Sequence, residues 1–139
     1  MTSTIDVELA RSLENASGAL IESIRTSLRN FHTAPPAHRA AWESKTMPGQ
    51  WETRVLVNLE GYHREIQSAL QACRAGDILP ITRVASGYGG LSKDLDGFHM
   101  QWMLEPDRLA VDEGIDRVVT VADRIHRLGY DELERTGRL

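Results

Sequence analysis

Three of the five histidines stand three residues after a carboxylate: Glu60 precedes His63, Asp96 precedes His99, and Asp123 precedes His126. Residues three apart on a helix are surface neighbours, so both side chains of such a pair can address one point. Metal sites built between packed helices use this spacing. Imidazole suits zinc, nickel and iron, and a carboxylate either joins the ligand set or holds the second ring nitrogen in one tautomer. At about 100° per residue, each histidine falls roughly 50° from the centre of its helix's apolar stripe and each acid roughly 110° away. The histidines therefore turn inward, with the acids at the boundary. The expectation is one divalent metal, Zn, Ni or Fe, held by His63, His99 and His126, with Glu60, Asp96 and Asp123 as outer partners. An open coordination position would support Lewis-acid or hydroxide chemistry of hydrolase or transferase type. Trp51, Tyr62 and Tyr88 are the expected lining of a pocket for a small-molecule ligand.

A competing reading treats the same histidines as boundary residues satisfied by hydrogen bonds. The protein is then a metal-free homodimeric binding or interaction protein without catalytic activity. Other patterns carry less chemistry. The run Gly87, Tyr88, Gly89, Gly90, Leu91, Ser92, Lys93 offers backbone N–H groups to an anion, or simply links two helices. Cys73 falls on an apolar helix face, where it reads as a small core residue.

The elements that must position these residues are helical. Leu9, Leu13, Ala16, Leu20, Ile24, Leu28 and Phe31 recur at steps of three and four, which predicts a first helix over residues 5–31. Ser3 and Asp6 form a loose capping box ahead of it, and Pro35 and Pro36 forbid its continuation. Residues 33–50 hold three of the five prolines and read as a long connection, a lid or a crossover, with one helical turn near Arg39. A second helix over 51–75 carries Val55, Leu56, Leu59, Ile66, Leu70 and Cys73 on one face, and Gly76 ends it. Ile78 to Ala85 has β-prone residues and Gly87, Gly89 and Gly90 follow, so residues 77–90 read as a loop. A third helix is expected over 92–104, apolar beyond one stripe at Met100 and Leu104, which makes it the expected homodimer surface. The fourth begins near Pro106 or Gly114 and ends at Gly129, with a short helical tail at most. These elements make an all-α, four-helix-bundle domain covering residues 1–139.

Composition agrees with one soluble domain. The 139 residues are 41% hydrophobic and 26% charged, and 20 acids against 16 Lys and Arg leave a formal charge of −4. That balance gives no basic stripe for nucleic acid or anionic membrane surfaces. A single cysteine and an N-terminus without an apolar h-region point to a cytoplasmic protein.

The segment Pro48, Gly49, Gln50, Trp51, Glu52, Thr53, Arg54, Val55, Leu56, with Leu59 following, resembles the start of the second helix in the DinB-like superfamily. The resemblance implies a four-helix bundle of this approximate length, often dimeric, that binds a divalent metal through three histidines. Thiol-dependent transferases and isomerases are among its members. Carried over residue by residue, it supports only His126 as a ligand. Asn58 or Leu59 stands where the family has its first metal histidine, and His126 stands alone where the last helix carries a pair.

Overall fold

The computed structural model describes residues 5–43, 47–96 and 100–138, and these are helical with short turns and no strand among them. Helix α1 (Val7–His32) is capped by Asp6, whose carboxylate accepts the Leu9 N–H at 2.8 Å. This leaves Asp6 as the N-cap itself rather than the second half of a capping box; Ser3 lies outside the described residues. The predicted face of α1 is the buried one, with Leu13, Leu20 and Ile24 fully enclosed.

The long connection contains more helix than expected. After Thr33 the chain forms α2 (Pro36–Glu43) and then α3 (Met47–Gln50). A π-helical turn over Trp51–Val55 leads directly into α4 (Leu56–Arg74). The wider π turn brings Trp51 and Val55 into the core together, both at 0% exposure. His38 of α2 bonds the Trp102 carbonyl through Nε2 at 2.7 Å, which docks α2 against residues far along the chain. Gly76 then turns the chain at φ +91°, a left-handed conformation that residues with a Cβ rarely adopt.

Two expectations fail in the next segment. Residues 77–90, read as a loop, lie almost entirely within α5 (Leu79–Asp96). Asp77 starts it by accepting the Leu79 N–H, and Pro80 in the first turn costs no intrahelical bond. Ile78, Ile81, Ala85, Tyr88 and Leu95 are buried at helical steps, so burial of this face outweighs the β propensity of Ile and Val and the cost of three glycines. The helix expected over 92–104 is therefore only the end of α5; residues 101–103 form a non-helical turn that buries Trp102 and Met103. Met100 packs against the core, and neither Met100 nor Leu104 lies within a helix.

Helix α6 (Glu105–Arg135) has Pro106 in its first turn, as predicted, but runs straight through both Gly114 and Gly129. Both glycines are close-approach positions rather than boundaries. A Cβ on Gly114 would stand 3.0 Å from Leu20 Cδ1, and one on Gly129 would collide with Thr82 Oγ1. The loss of helix propensity at Gly129, about 1 kcal/mol, is offset by the tight seat of α6 on Thr82 and Ile5.

The long helices pack in a cycle. α1 lies against α6 and α4, and α5 lies against α4 and α6. No described helix is long and apolar enough to cross a membrane.

Candidate functional site

The cyclic packing creates an open groove along the α1/α4 seam and another along the α5/α6 seam. Each holds one of the predicted histidines. In the α1/α4 groove, of about 370 Å³, Gly18, Ile21, Glu22 and Arg25 of α1 face Glu60, His63 and Arg64 of α4. His63 Nδ1 lies 2.6 Å from Ser17 Oγ, a serine with 0% exposure. Ser17 Oγ also lies 3.0 Å from the Glu14 carbonyl, one turn back on its own helix. A hydroxyl has a single proton. Donating it to the carbonyl leaves Oγ to accept from Nδ1–H, so the neutral ring carries its lone pair on Nε2. The same anchor survives protonation of the ring, because an imidazolium still donates at Nδ1.

Nε2 has no hydrogen-bond partner among the described residues. Gly18 gives the ring its room: a Cβ there would come within 3.4 Å of His63 Cε1. Arg25 is held by Glu22 at 2.5 Å and by Glu60 at 3.7 Å. Arg64 is exposed and makes no ion pair among the described residues. This groove therefore presents one imidazole nitrogen and one uncommitted guanidinium, which together can hold an anion and exchange a proton with it.

The α5/α6 groove repeats the pair with different neighbours. His126 Nδ1 lies 2.5 Å from Ser86 Oγ, and Ser86 Oγ lies 2.9 Å from the Thr82 carbonyl one turn back. The groove, of about 250 Å³, is lined by Ala85, Ser86, Tyr88, Val119, Ala122, Asp123 and His126. Asp123 pairs with Arg127 at 2.9 Å. The sequence carries a signal for both sites beyond the acid-x-x-His pairs. Ala-Ser-Gly occurs at 16–18 and again at 85–87, and acid-x-x-His-Arg occurs at 60–64 and again at 123–127.

The structure thus keeps Glu60 beside His63 and Asp123 beside His126, but it does not bring the two histidines together. Their grooves share no lining residue. His99 and the side chain of Asp96 lie outside the described residues. Among the described residues each groove offers one imidazole. No group of three His, Cys, Asp or Glu among them could hold a metal ion.

Of the expected pocket aromatics, Tyr88 lines the α5/α6 groove, whereas Trp51 is a core residue whose ring meets Trp102 edge-on at 6.0 Å. Tyr62 is also buried, its ring centroid 5.6 Å from that of Tyr88, and its hydroxyl has no partner among the described residues. Burial above all, with Tyr88 and Glu65 adding, pushes the Tyr62 phenol well above its ordinary range. Burial, then Asp6 and Glu132, also pushes the Cys73 thiol up, which disarms it as a nucleophile. Comparison with known proteins finds no matching family model, curated protein or solved structure.

Proposed function

We propose that the chain is a four-helix bundle of DinB-like type that acts as a metal-free binding protein, taking a small oxyanion, carboxylate or phosphate, in the α1/α4 groove. The cyclic packing of α1, α4, α5 and α6 supports the bundle. The observation that carries the ligand reading is His63, anchored at Nδ1 by buried Ser17 and open at Nε2, on one groove with unpaired Arg64. Arg64 supplies the charge and His63 a directional bond, donated when the ring is protonated and accepted from a protonated acid when it is neutral. Glu22 and Glu60 occupy Arg25, which leaves Arg64 as the guanidinium available to the ligand.

The reading is tested by titrating inorganic phosphate while following the imidazole signals by NMR. A saturable shift at His63, abolished by Arg64→Gln, is expected. No saturable shift, or one indifferent to Arg64→Gln, would remove the oxyanion assignment. Elemental mass spectrometry on untagged protein separates the metal reading: near-stoichiometric Zn, Ni or Fe, lost in His63→Ala, would replace this proposal.

A further inference from the structure

We infer that the α5/α6 groove is a second ligand site, independent of the first, for a neutral, single-ring or similarly small apolar molecule bearing one hydroxyl, a phenol in the simplest case. The hydroxyl would donate to His126 Nε2. That nitrogen is the free acceptor because Ser86, with its own proton on the Thr82 carbonyl, accepts from Nδ1–H. His126 is half-buried, and Nε2 has no partner among the described residues.

The lining decides the ligand class. Ala85, Val119, Ala122 and the Tyr88 ring supply an apolar wall for the body of the molecule. Among the described residues no Lys or Arg lines the groove and the one carboxylate is that of Asp123, so they offer an anion repulsion and no counter-charge. Arg127, next to His126 in the chain, is engaged by Asp123. A volume of about 250 Å³ falls below the roughly 300–1,000 Å³ of drug-sized pockets, which limits the occupant to about one ring. Ser86 stays exposed at the groove edge, leaving an open path to the imidazole.

The experiment uses the intact protein and phenol, with benzoate as the charged comparator, and follows the His126 and His63 ring signals by NMR. Phenol is expected to shift His126 saturably and leave His63 in place, with benzoate ineffective. Two variants are titrated with phenol by calorimetry, which needs no His126 signal: His126→Phe keeps an aromatic ring and removes the acceptor, and Val119→Asp charges a wall position that is 38% exposed and therefore tolerant of substitution. Each should weaken phenol binding about tenfold or more, the loss of a hydrogen bond or of an apolar contact. The site is refuted if phenol fails to saturate, if neither variant weakens it, or if benzoate binds as well as phenol. Phosphate binding at His63 can fail without touching this outcome, because the two grooves report through different signals.

Discussion

The α1/α4 and α5/α6 grooves carry one device in two settings. In both, a serine following alanine and preceding glycine turns its hydroxyl to the carbonyl a turn behind and receives a histidine from the facing helix. Ser17 is wholly buried, whereas Ser86 is exposed. Arg25 and Arg64 border the first imidazole, and Val119 and Ala122 border the second. The local motif fixes which ring nitrogen faces outward, and the neighbours fix what that nitrogen can meet. Burial of the serine decides how firmly the ring is held.

The largest test of this contrast is Gly129→Ala. A Cβ there has no space against Thr82 and Ile5, both buried, so α6 must move off α5. A loss of about 2 kcal/mol in urea denaturation is expected from overpacking, with the His126 NMR signals displaced and those of His63 kept. Equal displacement of both would show that the grooves are not independent. The serines come next. Ser17→Ala strips a partly buried Nδ1 of its partner and should cost about 1.5 kcal/mol, whereas Ser86→Ala, next to water, should cost about 0.5 kcal/mol. Matching costs in the same assay would erase the difference in anchoring.

Smaller effects come from the glycines beside the serines. Gly87 has open space where a Cβ would go, so Gly87→Ala should raise stability by about 0.7 kcal/mol through helix propensity alone. Gly18→Ala should gain less, because its methyl reaches the His63 ring. A thermal melt of both variants ranks them. The smallest effect at neutral pH belongs to Tyr62→Phe, which removes a buried hydroxyl that has no partner among the described residues. Its signature is alkaline. The Tyr62 phenol is raised above its ordinary value of 10.0, so above about pH 10 the unfolded chain loses a proton that the folded chain keeps. Stability from this group is complete below that pH and falls as pH rises; Tyr62→Phe should flatten the decline, and an unchanged slope would assign the decline elsewhere.

The helical class was legible because α1, α4 and most of α6 show apolar residues at three- and four-residue steps long enough to outweigh local exceptions. Residues 77–90 were not, because the helical register of Ile78, Ile81, Ala85 and Tyr88 is hidden among β-prone residues and glycines whose cost is recovered only by packing. Gly114 and Gly129 looked like boundaries for the same reason: a glycine's propensity is local, and the Leu20 or Thr82 that needs it lies on another helix. At the sites, the acid-x-x-His pairs were visible within one helix turn. Their serines stand 46 and 40 residues away, and nothing in the spacing within a helix says which neighbouring seam a histidine will join.

The buried seat of His63 also has an entropic consequence. A free histidine must give up rotamer freedom when it grips a ligand, at about 0.5–1.5 kcal/mol for an immobilised side chain. Ser17 has already taken that freedom during folding. The ligand at Nε2 meets a ring that is ordered before it arrives, so the penalty falls on the stability of α1 against α4 and the association keeps the full strength of its new bond.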